Sequence, residues 1–306
     1  MEFKHISVLL EETIESLCIK PDGIYVDGTA GGAGHSKEIA KKLDSGRLIA
    51  IDRDPDAVKI ASERLAEYNA TVVQDRFSNI ASVLEKLNIP KVDGVMMDLG
   101  VSSHQLDKAE RGFSYRNEAP LDMRMSQSGK TAADLVAQLS SAELCKIFRD
   151  YGEEQFAMSI AKAIVKAREK EPITTTTQLA EIISRAVPPS ARRDGHPARK
   201  CFQALRIAVN GELSEVEKGI ADAFECLKPG GVLSVITFHS LEDRIVKQYF
   251  ASLCKGCTCP PDLPVCVCGG KPKGELISRK PILPSAEEIE INPRSRSAKL
   301  RAIRKL

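Results

Sequence analysis

The chain has 306 residues, which at roughly 100–200 residues per domain predicts about two domains with ample length for a hydrophobic core. With 42% hydrophobic and 28% charged residues, and 44 Lys+Arg against 42 Asp+Glu for a net charge of +2, the composition excludes a fibrous, collagen-like or globally disordered chain. The near-balance hides two basic stretches: residues 292–306 carry six Lys/Arg and no acid, and residues 185–206 carry six Lys/Arg against one acid, Asp194.

In chain order, residues 8–18 set Val8, Leu9, Thr13, Ile14 and Leu17 at spacings near 3.6, which predicts a first helix. The segment before it has neither the apolar run nor the cleavage site of a secretory leader. No window approaches ~18 uninterrupted apolar residues, so a cytoplasmic protein without a membrane partner is expected. Ile24-Tyr25-Val26-Asp27 reads as a short strand, followed by the turn-forming run Gly28-Thr29-Ala30-Gly31-Gly32-Ala33-Gly34. A helix over 35–43, a strand over 47–52, a helix over 55–69, a strand over 71–75, a helix over 80–87 and a strand over 92–98 follow. Nearly all-apolar strands alternating with helices predict a parallel sheet covered on both faces. The alternation stops after Asp98. Helical patterns then occupy 131–138, 142–151, 153–170, 177–187 and 200–210, and the next strand, 232–238, is introduced by Leu227-Lys228-Pro229-Gly230-Gly231. Two β-type segments, 275–282 and 298–304, can complete the sheet. The expected architecture is α/β with a mostly parallel seven-stranded sheet. Residues 1–105 and 213–306 form a discontinuous domain, and an all-helical domain of residues 106–212 is inserted between the fourth and fifth strands.

The glycines cluster where backbone must approach a ligand before a helix begins. Gly28, Gly31, Gly32 and Gly34 do not fit the Gly-x-Gly-x-x-Gly spacing of dinucleotide binders, which counts against a nicotinamide-dependent dehydrogenase. An acid before the glycines, here Asp27, is more typical of enzymes that bind S-adenosylmethionine, whose amino-acid end replaces a pyrophosphate. Asp52 closes the second strand, where a carboxylate can accept both ribose hydroxyls of a nucleoside; the alternative is a helix N-cap before Pro55. Phe77 follows the third strand and can lie against an adenine face or pack in the core. Asp98 ends the fourth strand, and open α/β sheets bind ligands at the carboxyl ends of their strands, so it is expected to face the reaction zone.

Together these residues resemble S-adenosylmethionine-dependent methyltransferases, and further strings narrow the likeness. They are His5-Ile6-Ser7-Val8-Leu9-Leu10-Glu11-Glu12, residues 31–36, Asp98-Leu99-Gly100-Val101-Ser102-Ser103-His104-Gln105-Leu106-Asp107 and Arg111-Gly112-Phe113-Ser114-Tyr115. Pro120-Leu121-Asp122-Met123-Arg124-Met125, His196-Pro197-Ala198, Phe202-Gln203-Ala204-Leu205-Arg206-Ile207-Ala208-Val209-Asn210, Phe238-His239-Ser240-Leu241-Glu242-Asp243-Arg244 and residues 292–301 continue them. Spread over the whole chain, these strings are similar to the MraW (RsmH) family, the small-subunit ribosomal RNA cytosine-N4 methyltransferases. The resemblance implies a Rossmann-like methyltransferase fold, S-adenosylmethionine as cofactor and 16S ribosomal RNA, within the small ribosomal subunit, as partner. It implies a decoding-region cytidine as target and leaves a homodimer open. It also implies cofactor contacts from Ala33, Gly34 and His35 in the loop, Asp52 on the ribose, Phe77 near the adenine, and Asp98 and Gln105 on the methionine-proximal side. Glu118-Ala119 and Ser126 depart from the family's usual Asp-Gly and acid, which bears on substrate-loop details and on none of the cofactor positions.

A cytosine N4 amine is a poor nucleophile because its lone pair is delocalised into the ring, so an enzyme must mainly position it and place acceptors on its N–H bonds. Asp98 is the expected catalytic acceptor, and His239 is expected to assist in base placement or late proton removal. A capping role for His239, just before a helix start, stands beside that. The target base must be unpaired or flipped from its stack. Arg192, Arg193, His196, Arg199 and Lys200 are expected to face RNA, and Arg294 and Arg296, with the rest of the C-terminal basic stretch, to grip phosphates; solvated charged faces are the alternative. Cys254, Cys257, Cys259, Cys266 and Cys268 offer enough thiols for zinc, yet their spacing is not that of ordinary zinc ribbons. Free thiols or a disulfide therefore stand beside zinc, and no metal is expected in the active site. Two other functions compete. One is methylation of another nucleic-acid amine or a protein side chain; for DNA, the absence of an Asp/Asn/Ser-Pro-Pro-aromatic string at Asp98-Leu99-Gly100 counts against it. The other is a non-catalytic RNA-binding ribosome-assembly factor, which would have no need of Asp52, Asp98 and the complete glycine loop.

Overall fold

A computed structural model describes residues 7–189, 196–256 and 270–306. The chain divides into two compact units, residues 1–100 with 213–306, and residues 101–212. The first boundary falls after Gly100 rather than at 105: Gly100 turns the chain at φ 104°, and the short helix that follows belongs to the second unit.

The first segment runs α1 (Leu10–Ser16), β1 (Ile24–Asp27), α2 (Gly34–Lys41), β2 (Arg47–Asp52), α3 (Pro55–Arg64), β3 (Ala70–Gln74), α4 (Ile80–Lys86) and β4 (Val92–Asp98). The second unit holds α5 (Ser103–Asp107), α6 (Ala132–Gln138), α7 (Ser141–Gly152), α8 (Ala157–Arg168), α9 (Thr176–Ala186) and α10 (Ala198–Asn210). The chain then continues with α11 (Glu212–Cys226), β5 (Leu227–Thr237), α12 (Ser240–Cys254), β6 (Gly274–Leu276), α13 (Ala286–Ile291) and β7 (Lys299–Lys305). The seven strands form one sheet in the order β3-β2-β1-β4-β5-β7-β6. β1 to β5 pair in parallel, and β7 runs antiparallel to both β5 and β6. This is the expected Rossmann-like, mostly parallel seven-stranded architecture.

Side chains alternate across the sheet, and both faces are apolar. Tyr25, Leu48, Ala50 and Met96 pack in one cluster with residues of α1, α2 and α3. Their chain neighbours Val26, Ile49, Ile51, Val95 and Met97 pack in another with residues of α4, α11 and α12. Several boundaries differ from the sequence reading. α3 stops at Arg64 because Leu65 leaves the helix for the core and Tyr68 N–H turns back to its carbonyl. β5 begins at Leu227, opposite Val92, and its register jumps to Val232 opposite Gly94, so the Pro-Gly-Gly stretch is an irregularity within a strand. β6 is short, ending at Leu276; Ile277 N–H still donates to the Ala302 carbonyl, and Ile282 forms an isolated bridge to Leu300. α11 occupies a stretch in which no helix was expected.

The second unit has its own core, including Leu144, Phe148, Ile160, Ile164, Leu179, Ile183 and Leu205. Reciprocal capping boxes start α5, α6, α7 and α9 (Ser102/Gln105, Thr131/Asp134, Ser140/Glu143, Thr175/Gln178), each satisfying orphan N–H groups of a helix start. The helix expected from 153 starts at Ala157, since Glu153 is the left-handed C-cap of α7 at φ 48°. At the end of α10, buried Asn210 accepts from Met125 N–H at 2.9 Å and donates to the Met123 carbonyl at 2.8 Å, pinning the 123–125 loop as a neighbouring strand would. Among the described residues no helix is long and apolar enough to cross a membrane.

Candidate active site

Strand order reverses between β1 and β4: from β1 the chain builds outward to β2 and β3, then returns to β4 on the other side. Ligands of open α/β sheets bind outside the carboxyl ends of the strands at such a switch point. Asp27, Asp52 and Asp98 are the last residues of β1, β2 and β4, so the sequence's three strand-closing acids come to one edge.

Asp27 is completely buried, accepting from Thr29 N–H at 3.0 Å and from the Ser36 hydroxyl at 2.5 Å. Burial pushes its pKa up to about 6 against the pull of those bonds. The acid before the glycines therefore holds the loop shut on itself. Thr29 adds a second tie, its Oγ1 accepting from Asp98 N–H at 2.6 Å and joining the loop to β4. Neither Thr29 nor Ser36 is among the expected site residues; the signal available is an acid with hydroxyls two and nine positions on. Gly31 and Ala33 take left-handed φ of 49° and 59°. A Cβ at Gly34 would sit 1.9 Å from Ser7 Oγ, so a larger residue there requires the serine side chain to move.

Asp52 accepts from Gly31 N–H and from Asp54 N–H, both at 2.8 Å. The N-cap of α3 is Asp54, not Asp52, so the capping alternative for Asp52 is wrong. Burial raises the Asp52 pKa, opposed by the two backbone donors. Phe77 is partly buried against the core, with its ring on Gly219 of α11, where an added Cβ would lie 2.4 Å from it. The packing role is thus present whatever else the ring touches.

Asp98 has one open and one buried oxygen: its side chain keeps 26% exposure, yet Oδ1 is buried without a hydrogen-bond partner. Burial, then the charges of Asp27 and Glu242, push its pKa up to about 8. His35 is buried, with Nε2 3.0 Å from the Val8 carbonyl and Nδ1 3.9 Å from Asp98 Oδ2. Because a carbonyl only accepts, the Nε2 proton points at Val8. His239 is the N-cap of α12 in a reciprocal capping box, its Nδ1 accepting from Glu242 N–H at 3.4 Å while Glu242 accepts from Phe238 and His239 N–H at 3.0 and 3.3 Å. His239 Nε2 lies 3.1 Å from Glu242 Oε1, close enough for an ion pair if protonated but not aligned as a hydrogen bond.

Gln105 lies in the second unit, buried, with Oε1 accepting from Ser102 N–H at 3.1 Å in the α5 capping box. Also in that unit, His196 and Arg199 are exposed, whereas Lys200 Nζ donates to the Glu153 carbonyl at 3.1 Å and closes the end of α7. Arg192 and Arg193 lie outside the described residues, as do all cysteines of the cluster except Cys254. Arg294 and Arg296 are exposed in a short 3-10 turn. The rest of the C-terminal basic stretch is not a phosphate-gripping tail. It is strand β7, in which Lys299 and Arg301 pair with Asp243 and Lys305 donates to the Phe224 and Glu225 carbonyls.

A family model described as the MraW methylase family matches residues 2–306. A Clostridium botulinum (Loch Maree) protein named ribosomal RNA small subunit methyltransferase H is 58% identical over 309 residues, covering 100% of both chains. A protein of the same name from Symbiobacterium thermophilum is 54% identical over 311 residues, covering 100% of this chain and 98% of its own. Among solved structures, an rRNA methylase from Streptococcus thermophilus is similar with TM-score 0.46 and 11% identity over 99% of each chain, a likeness on which the fold assignment does not lean. With a whole-chain family match and relatives above half identity over their full lengths, the chain belongs to the MraW methylase family.

Proposed function

We propose that the chain transfers a methyl group from S-adenosylmethionine to the N4 amine of a cytidine in the decoding region of 16S ribosomal RNA, acting in the cytoplasm on the small ribosomal subunit. The names of its whole-chain relatives support the RNA class. One structural observation carries the chemistry: at the switch point, Asp98 keeps a buried oxygen with no partner, on a side chain still open to solvent. The buried oxygen without a donor favours the protonated carboxyl, and the open oxygen of the same side chain is placed to accept an amine N–H.

The site's residues fit the cofactor. Each oxygen of Asp52 takes one backbone N–H and retains acceptor capacity for a ribose hydroxyl. Ala33, Gly34 and His35 form the turn and first residues of α2, with Phe77 beside Gly28. Gln105 is proposed as a further contact from the second unit. When bound, S-adenosylmethionine supplies a methyl group already activated on a sulfonium.

The chain's own residues supply position. Asp98 with a pKa of about 8 holds its proton at neutral pH, which spares a buried charge while its carbonyl oxygen accepts from the amine. A neighbouring positive charge lowers that pKa; once the carboxyl's proton has passed to solvent, the carboxylate can take the proton that a methylated N4 sheds. His35, held through Nε2 to Val8, keeps its Nδ1 toward Asp98. His239 acts through the α12 cap, fixing Phe238 and Glu242. The first unit is the cofactor domain in this reading. The second, with His196 and Arg199, recognises substrate, and Arg294 and Arg296 add phosphate contacts.

The test is transfer of labelled methyl to small ribosomal subunits and to naked RNA from a strain lacking the enzyme, followed by nucleoside mass spectrometry. N4-methylated cytidine is expected. Intact cofactor binding with no label on either substrate overturns the reading.

A further inference from the structure

We infer that Tyr115, Arg116, His196 and Arg199 form a stacking site for one unpaired RNA nucleotide, which takes the base by its face without reading its identity and holds the flanking phosphates. The inference rests on RNA being the substrate of this chain. The four side chains line an open cavity of about 620 Å³ within the second unit.

The rings are set before any ligand arrives. Tyr115 stands edge-on to buried Phe202, with centroids 5.5 Å apart and planes at 77°, so the core fixes its orientation. His196 stacks on Tyr115 at 4.7 Å and 18°. Its Nδ1 accepts from Ala198 N–H, at the start of α10, at 3.2 Å, which locks the imidazole about its own axis. His196 is nevertheless exposed, so a prepared planar surface meets solvent. Two exposed guanidiniums, Arg116 and Arg199, share the cavity, and neither has a hydrogen-bond or ion-pair partner among the described residues.

An ordered stack flanked by two unpartnered cations suits a ligand with a flat apolar face and negative charge on both sides of it, as a single-stranded nucleotide has. An acidic peptide would occupy the guanidiniums and leave the rings idle. Among the described residues the lining offers two ring faces and two guanidiniums; with the guanidiniums on the flanking phosphates, the base is held by its face.

The experiment measures binding of the full-length chain to a labelled ten-nucleotide uridine oligomer and to an abasic oligomer of equal charge. His196→Ala is expected to weaken the uridine oligomer about tenfold and leave the abasic one unchanged, while His196→Phe, which keeps the face, restores binding. Arg116→Ala with Arg199→Ala should weaken both ligands and reduce the slope of log K against log salt by roughly 1.4. Equal effects of His196→Ala on both oligomers, or no effect, overturn the inference. So does a decaglutamate peptide that binds as tightly with the same arginine dependence, which would assign the groove to an acidic protein. A preference above about tenfold among uridine, cytidine and adenosine oligomers overturns identity-blind stacking. Methyl transfer separates the two levels. Wild-type transfer to RNA with an unchanged KM in His196→Ala sinks this inference alone. If wild type labels no RNA, the proposed function falls, and the stacking site falls with it unless the oligomer results hold.

Discussion

His35 faces Asp98 across 3.9 Å while its far nitrogen, 3.0 Å from the Val8 carbonyl, is anchored to the chain just ahead of α1. A backbone group thereby holds the Nε2 side of the ring and turns Nδ1 to Asp98. Burial, with the acids Asp27 and Glu242 nearby, sets the Asp98 pKa at about 8. In this state Asp98→Ala should lower methyl transfer by at least roughly a hundredfold, the scale of losing one aligned electrostatic group. Cofactor affinity by calorimetric titration should change far less; full turnover in the variant would remove Asp98 from the chemistry.

Two raised carboxyls also make stability depend on pH. Asp27 at about 6 and Asp98 at about 8 hold protons in the native state that the unfolded chain has already released. Their contribution is complete below about pH 4 and is lost as pH rises through 6 and then 8. Asp98→Asn keeps the shape and removes the upper step. Between pH 5 and pH 8.5 it should gain on wild type by roughly 4 kcal/mol. Denaturant midpoints at the two pH values check this, and parallel curves for the two proteins would refute it.

Gly34 and Ser7 form a steric pair. A methyl at Gly34 would lie 1.9 Å from Ser7 Oγ, and overpacking of this kind costs about 1–3 kcal/mol. Gly34→Ala should therefore destabilise, and adding Ser7→Ala should recover much of the loss. Additive effects in the double-mutant cycle would mean that the two residues do not meet.

The cap of α12 separates two roles for His239. His239→Ala should cost about 1 kcal/mol, whereas His239→Asn, a good N-cap, should keep stability. On the geometry of the capping box, methyl transfer by His239→Asn stays within about threefold of wild type. A hundredfold loss with unchanged melting would instead put the imidazole into the reaction.

Asn210 ties the end of α10 to the 123–125 loop. Its carboxamide serves Met125 N–H and the Met123 carbonyl together. Asn210→Ala strands both buried backbone groups and should cost about 2–4 kcal/mol, with Asn210→Asp worse than Asn210→Gln because an acceptor then faces a carbonyl. Thermal melts of the three variants give the order directly.

The sheet was legible because each of β1, β2 and β4 is an apolar run closed by an acid, and burial on both faces leaves that signature. Where it failed, local chemistry misled. Pro229-Gly230-Gly231 has turn composition but lies inside β5 at a register jump, and of the expected 275–282 strand only the part up to Leu276 pairs as a ladder. Asp52 and Asp98 could be placed from strand ends. The hydrogen bonds of Thr29 and Ser36 could not, because they depend on how far the loop folds back over Asp27. Charge was the poorest guide: Lys299, Arg301 and Lys305 read as a basic tail, yet tertiary partners far away in sequence claim each of them.

The pairing of β4 with β5 joins residues on either side of the whole 101–212 unit. At the usual pace of translation, β5 leaves the ribosome on the order of 10 s after β4. During that interval Val95, Met96 and Met97 stand at an open sheet edge, the arrangement that recruits stray strands. The intervening helices make mostly local contacts and can fold within the wait. Nascent chains stalled between residues 100 and 227 should therefore be the most dependent on chaperones, a vulnerability that permuting the helical unit to the end of the chain would remove.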